Sequence, residues 1–294
     1  MAWENNIKLL WLMRIDAHQH FWRYDASKHS WINDDMFVIR RDFFPGDLAA
    51  ELKNHGINGT VAVQADETVD ETDFLLDLAE KNDFIKGVVG WINMHSQELE
   101  LSLEKYKNAR KLKGLRCIMQ GAPDEQYLTN RVFSDNLKKI SISGYTYDLL
   151  VYHYQLPKLI KMTDMLPDSA MILDHIAKPD IKNRQFNTWK ENIKTISAHP
   201  GIYCKLSGMI TEADFRNWKY DDLMPYMEIS AEYFGVDRLC FGSDWPVCLV
   251  AGSYNQVFEV VNKFVSQLSV DEQLKVFGKN ATNFYKLSHG SESE

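Results

Sequence analysis

The sequence lacks a long apolar run, and it lacks a surplus of positive charge. A membrane-spanning helix needs about 20 consecutive apolar residues, and because no run approaches that length we predict no membrane partner. The formal net charge of −8 argues against nucleic acid as a partner, since surfaces that bind its backbone are basic. A small ligand that needs only local positive charge is compatible with this balance.

Cysteine is scarce as well, and no two cysteines form a CxxC pair. We expect those present to be free, buried thiols in a reducing compartment: Cys117, Cys204, Cys240 and Cys248. The start of the chain does not look like a secretory signal, because it carries Glu4 and its apolar stretch is very short. We therefore predict a cytoplasmic protein with an N-terminal extension over residues 1–12, one domain over 13–287 and a disordered polar tail over 288–294.

The sequence has no Gly-x-Gly-x-x-Gly motif opening a helix and no P-loop, but it alternates short apolar runs with amphipathic segments. The apolar runs predict eight buried strands, over residues 14–20, 59–64, 85–91, 112–116, 145–151, 171–174, 202–206 and 239–241. Strands buried on both faces and joined by helices indicate a parallel sheet. Eight such units in this length predict a single-domain α/β protein, a (β/α)8 TIM barrel, with an open doubly wound sheet as the alternative.

Polar residues follow several of these strands, and in such a barrel the carboxyl ends of the strands face one pocket. Strand one delivers His18 and His20, which alternate and therefore face the same way. Together with His175 after strand six and Asp244 after strand eight, they form a possible metal-binding set. The other polar residues at these ends are Gln64, Arg116 and Lys205.

Four motifs in these positions carry a family resemblance: Ile15-Asp-Ala-His-Gln-His-Phe-Trp22, Leu173-Asp-His-Ile-Ala-Lys-Pro179, Lys205-Leu-Ser-Gly208 and Phe241-Gly-Ser-Asp-Trp-Pro246. They resemble the amidohydrolase superfamily, and more narrowly its branch of lactonases that open L-fucono- and L-rhamnonolactone. The match runs in order from Ile15 to the segment 278–283. The resemblance implies a TIM-barrel hydrolase with its site at the motif residues.

The sequence departs from the wider superfamily in its metal-binding positions. Binuclear members place a bridging lysine at the end of strand four, where this chain has Arg116, and mononuclear members place a histidine at the end of strand five, where His153 falls just past the pocket. Members of the lactonase branch are known that dispense with a metal. We therefore expect no strictly required cofactor. If a metal is bound, the resemblance implies one divalent ion such as Zn²⁺ with the ligands His18, His20, His175 and Asp244.

We predict a hydrolase that opens a sugar-acid lactone to the free aldonic acid. Such a reaction needs an attacking water, a base and donors for the oxyanion. Asp244, with an ordinary or slightly raised pKa, is the predicted base. The predicted carbonyl-polarising groups are His18, His20, His175 and Arg116. The predicted substrate-binding residues are Trp22, Trp31, Gln64 and Lys205, and Lys205 needs a buried partner such as Asp148 or Asp174.

Two other functions are compatible with the same residues. One is a metal-dependent hydrolase or decarboxylase acting on a dicarboxylate or aromatic acid. The other is a non-catalytic barrel that binds a sugar acid. A lactone panel on metal-free and zinc-loaded protein separates the three. The expected partner is a small sugar lactone, and the expected assembly is a monomer or a small homo-oligomer.

Overall fold

Eight parallel strands form a ring at the centre of the molecule. The computed structural model describes residues 13–166 and 168–288, so the predicted extension and all but one residue of the predicted tail lie outside the described residues. The strands are β1 (Ile15–Gln19), β2 (Gly59–Val63), β3 (Ile85–Gly90), β4 (Leu112–Ile118), β5 (Thr146–Leu150), β6 (Met171–Leu173), β7 (Ile202–Leu206) and β8 (Leu239–Phe241). They pair in chain order, and nearly all their residues are buried.

The ring closes through the residues that follow β8. A parallel bridge joins Gln19 and Trp245. The backbone N–H of Asp244 donates to the carbonyl oxygen of His18 at 2.8 Å, and that of His20 donates to Trp245 at 2.7 Å. The segment that carries Asp244 is therefore hydrogen-bonded directly to the end of β1. The barrel is closed in this way, which confirms the predicted fold.

The helices surround this ring, and a main helix follows each strand. Their bounds are α1 (Pro45–Asn54), α2 (Val69–Lys81), α3 (Leu99–Tyr106), α4 (Arg131–Ile142), α5 (Leu156–Thr163), α6 (Asn187–Ser197), α7 (Met209–Glu212), α8 (Tyr220–Phe234), α9 (Tyr254–Val265), α10 (Val270–Leu274) and α11 (Asn280–Phe284). The N-cap of α2 is Thr68, whose hydroxyl accepts from the Glu71 N–H at 3.2 Å.

The segment between β1 and α1, residues 20–44, is rich in aromatic residues and is held in place by contacts among its own side chains and backbone. Trp22 and Phe43 form an antiparallel bridge, and the Trp22 indole N–H donates to the Arg41 carbonyl at 2.8 Å. A short 3₁₀ helix, Asp34–Ile39, lies between them. Trp31 packs edge-on against Trp22, with ring centroids 5.9 Å apart, and keeps 37% of its surface exposed. The segment therefore forms a wall anchored by Trp22.

The four cysteines are buried free thiols, as the sequence predicted. At the end of the barrel opposite the carboxyl ends of the strands, Tyr285 follows α11, and its hydroxyl donates to the Asp148 carboxylate at 2.9 Å. Within residues 13–166 and 168–288, none of the helices combines the length and apolar character required to cross a membrane.

Candidate active site

His18, His20 and Asp244 meet where β1 joins the segment after β8. The Nε2 atoms of His18 and His20 are 3.2 Å apart, and Asp244 Oδ1 lies 3.4 Å from His20 Nε2 and 3.8 Å from His18 Nε2. Asp16 holds this junction, since its carboxylate accepts from the N–H of Ser243 at 2.9 Å and from the N–H of His18 at 3.2 Å. Asp16 was not among the residues predicted for the site, although it lies within the first motif.

His175 reaches the same carboxylate from β6. Its Nε2 lies 3.8 Å from Asp244 Oδ1, and its Nδ1 is hydrogen-bonded to the Ser207 hydroxyl at 2.8 Å. Gly208 packs against the imidazole: a Cβ there would lie 2.7 Å from His175 Cγ, and the φ of +64° disfavours any side chain. Residues 207 and 208 of the Lys-Leu-Ser-Gly motif therefore fix the His175 ring.

The protonation states of this cluster follow from its burial. Burial lowers the pKa of His175 to about 4 and that of His18 well below its ordinary range, so both rings are neutral at pH 7. Burial alone would raise the pKa of Asp244, but His175 becomes protonated in the acid range where a carboxyl group titrates, and its charge helps to hold the pKa of Asp244 below its ordinary value. The expected ordinary or slightly raised pKa of Asp244 is therefore wrong in direction, and the carboxylate is ionised at neutral pH.

A buried ion network lies beneath these residues. Asp174 Oδ2 accepts from Arg116 Nη1 at 2.9 Å, and Lys205 Nζ lies 2.9 Å from Asp174 Oδ1 and also binds Asp148. The same ammonium lies 2.9 Å from His18 Nδ1. Burial would lower the pKa of Lys205, but the two carboxylates raise it, so it is a cation. The two anions and two cations balance, as buried charges require.

A cavity of about 370 Å³ opens above this network. Four of the five predicted catalytic residues line it, namely His20, Arg116, His175 and Asp244, and Trp31 forms part of its wall. The lining residues that were not assigned to the site from sequence include Tyr152, Lys178, Glu212 and Phe215. Tyr152 could have been found by period-two alternation beyond Leu150, whereas Glu212 lies on α7, which no strand pattern marks.

Three of the predicted substrate-binding residues do not reach the cavity. Trp22, Gln64 and Lys205 are fully buried and are absent from the cavity lining. The reason is their depth: Gln64 bonds the backbone of Arg116 through its side-chain amide, and Lys205 is enclosed by its two carboxylate partners. They support the site from below, and Trp31 is the one of the four that reaches the cavity. His18 is also fully buried and does not line the cavity, but it contacts His20, which does.

The donor set fits one divalent metal ion. His20 Nδ1 lies 2.7 Å from the Val63 carbonyl and must donate to it, so His20 carries its lone pair on Nε2, as in most metal-bound histidines. His18, His20 and Asp244 offer ligand atoms within 4.8 Å of one another, and so do His18, Asp174 and His175. The first set contains three of the four predicted ligands, while His175 falls in the second.

The barrel and these motif residues define the class. The chain belongs to the amidohydrolase family, whose model matches residues 15–287, so the predicted resemblance is confirmed. More particularly, it is 35% identical over 286 residues to an L-fucono-1,5-lactonase of Burkholderia multivorans, covering 94% of this chain and 96% of that protein. It is 32% identical to an L-fucono-1,5-lactonase of Burkholderia ambifaria, covering 95% and 97%. A crystal structure of an amidohydrolase from Burkholderia multivorans with bound zinc matches with a TM-score of 0.90 at 34% identity, covering 94% of this chain and 100% of that one.

Proposed function

We propose that the protein hydrolyses a sugar-acid lactone to the free aldonic acid, with Asp244 activating the attacking water. The observation that carries this proposal is an ionised carboxylate ringed by three histidine Nε2 atoms at 3.4–3.8 Å, at the base of a cavity large enough for a small sugar. Two relatives that share most of the chain are L-fucono-1,5-lactonases, so L-fucono-1,5-lactone is the first substrate to test.

The first chemical step is attack of water on the lactone carbonyl. Asp244 accepts the proton of that water as its oxygen bonds to the carbonyl carbon. The lowered pKa of Asp244 makes it a weak base, and this is sufficient because a lactone is an activated ester. The tetrahedral intermediate then collapses, and the bond between the carbonyl carbon and the ring oxygen breaks. His175, held by Ser207 with its Nε2 3.8 Å from Asp244 Oδ1, relays the proton from Asp244 to the leaving ring oxygen.

The developing oxyanion needs donors. Arg116 lines the cavity, and its two terminal nitrogens bind Asp174 and the Gln64 carbonyl. Arg116 is therefore held in place by these two bonds, and its fixed positive charge would stabilise the oxyanion. A divalent metal held by His18, His20 and Asp244 would polarise the same carbonyl as a Lewis acid.

The test is turnover of L-fucono-1,5-lactone, followed by proton release in weak buffer. The Asp244→Asn variant should lose at least ~100-fold in turnover, because the amide cannot take the proton. Asp135→Asn changes an exposed carboxylate on α4 and is the matched control. Near-normal turnover of the Asp244 variant, with circular dichroism unchanged, would refute the assigned base.

The alternatives are not favoured. Neither a metal-dependent decarboxylase or dicarboxylate hydrolase nor a non-catalytic sugar-acid barrel is supported by the two curated relatives at 32–35% identity, which are lactonases. Tight binding of an aldonic acid without turnover of any lactone would revive the non-catalytic function. We further infer a cytoplasmic location, which the four free thiols support, and an assembly that is a monomer or a small homo-oligomer.

A further inference from the structure

Two charged side chains in the cavity wall have no role in the hydrolysis described above. Lys178 Nζ lies 3.2 Å from Glu212 Oε1, and the side chains keep 16% and 18% of their surface exposed. Both residues line the cavity. The ammonium also lies 5.5 Å from the centre of the Tyr152 ring. An ammonium and a carboxylate are therefore presented side by side next to an aromatic face.

The backbone that delivers Lys178 is strained. Residues 175–178 have φ angles of +52°, +48°, +61° and +46°, which form a left-handed turn without glycine. Such a conformation costs roughly 1–2 kcal/mol per residue, so it persists only where its surroundings impose it. The Trp189 indole N–H donates to the Ile176 carbonyl at 2.8 Å, and Ser207 holds His175. The same turn thus aims both His175 and Lys178 into the cavity.

The charges of the cavity favour a neutral ligand. Arg116 and Lys178 are the cations among the described lining residues, and each already has a carboxylate partner, Asp174 and Glu212 respectively. A dicarboxylate would require surplus positive charge. Two neighbouring hydroxyl groups fit the pair better, because one can accept from the ammonium while the other donates to the carboxylate.

We propose that Lys178 and Glu212 together recognise two adjacent hydroxyl groups of a neutral sugar lactone and set the preference for hydroxylated over plain lactones. This inference rests on the proposed lactonase function. The Lys178 ammonium suits the role, because Glu212 and Asp244 raise its pKa against the lowering effect of burial. The pair determines specificity and takes no part in the proton transfers.

The test compares a hydroxylated lactone with one that has no hydroxyl groups. For the wild type, Lys178→Met and Glu212→Gln, we would measure kcat and KM on L-fucono-1,5-lactone and the competitive inhibition constant of δ-valerolactone. Each variant should lose ~10–100-fold in kcat/KM on L-fucono-1,5-lactone, mainly through KM, since a charge-assisted hydrogen bond is lost. The inhibition constant of δ-valerolactone should change less than about 3-fold, because that ring has no hydroxyl groups to bind.

Lys182→Met is the matched control, since Lys182 is exposed on the same segment and lies outside the cavity lining. Equal losses for both lactones would overturn the inference, and so would no loss in either variant. A wild type that prefers 2-pyrone-4,6-dicarboxylate would overturn the argument from charge. If Lys178→Met does not fold, Glu212→Gln alone decides, because it keeps an amide oxygen beside the ammonium. A wild type that opens no lactone would instead refute the proposed function.

Discussion

Replacing Lys205 by methionine tests whether the buried ion network stabilises the barrel. The Lys205 ammonium contacts Asp148, Asp174 and His18 and is fully buried. Methionine retains most of the aliphatic volume, so the change removes the charge with little loss of packing. Arg116 still pairs with Asp174, which leaves Asp148 as the carboxylate without a cation.

The expected loss follows from the charge count. The network holds two carboxylates and two cations, and the variant leaves one buried negative charge uncompensated. Breaking a buried pair in this way costs about 3–5 kcal/mol in the free energy of unfolding. Burial already raises the pKa of Asp148 to about 6, even though Lys205 lowers it. Without Lys205 that pKa rises further, so the full loss is expected at pH 8, and protonation of Asp148 reduces it as the pH falls to 5.

The measurement is urea unfolding followed by tryptophan fluorescence at pH 8 and pH 5. Lys205→Met should lose about 3–5 kcal/mol at pH 8 and less at pH 5, while Lys161→Met, at an exposed position on α5, should change by under about 0.5 kcal/mol. The double variant Lys205→Met with Asp148→Asn should recover at least half of the loss, because it restores the charge balance. A loss below about 1 kcal/mol at pH 8, or no recovery in the double variant, would refute this reasoning.

Two further predictions concern the half-buried Glu71 and the metal. Burial raises the pKa of Glu71 from 4.5 to about 7, so the native state binds this proton more tightly than the unfolded state does. The free energy of unfolding therefore falls as the pH rises from about 4.5 to about 7. Glu71→Gln should match the stability of the wild type at pH 5 and exceed it by up to about 3 kcal/mol at pH 8. Equal differences at both pH values would contradict this. Equilibrium dialysis should find about one Zn²⁺ bound per chain, and His20→Ala should abolish this binding. Chelator-treated protein should nevertheless keep its lactone turnover. A complete loss of turnover after chelation that added Zn²⁺ restores would contradict this expectation.

The barrel was predictable from sequence because its signals are local and repeated. Each strand is a short apolar run and each crossover is an amphipathic helix, and these patterns need no knowledge of distant contacts. Alternation along β1 also placed His18 and His20 on the same side, and their Nε2 atoms are 3.2 Å apart. The end of a barrel strand marks a pocket, and this rule brought Asp244 and His175 to the same place.

Depth within the barrel was not predictable. Lys205 has the buried partner that the sequence predicted, but it lies in a layer below the cavity with Asp148, which comes from another odd-numbered strand. Interior layers of such barrels take their side chains from alternate strands, and one residue along a strand is a step of roughly 3.3 Å. Strand register decides which layer a residue enters, and register depends on pairing between segments that a single sequence does not specify.

The direction of the pKa of Asp244 was missed for a related reason. From sequence, a carboxylate at the end of an apolar strand is expected to be desolvated, which raises its pKa. In the structure three imidazoles surround it, and His20 is fixed by its bond to the Val63 carbonyl. The net result depends on distances below 4 Å between residues of three different strands, so the opposing effects could not be weighed before those distances were known.

The left-handed turn after β6 shows most directly where local rules fail. Residues 175–178 contain no glycine, and by local preference they would adopt a right-handed or extended conformation. Contacts from Trp189, Ser207 and Glu212 hold them in the left-handed conformation instead. The turn carries both His175 and Lys178. Strain that the rest of the fold must offset is expected where side chains have to point toward a ligand. For that reason the conflict between sequence and backbone at this turn is itself an argument that Lys178, like His175, belongs to the functional site.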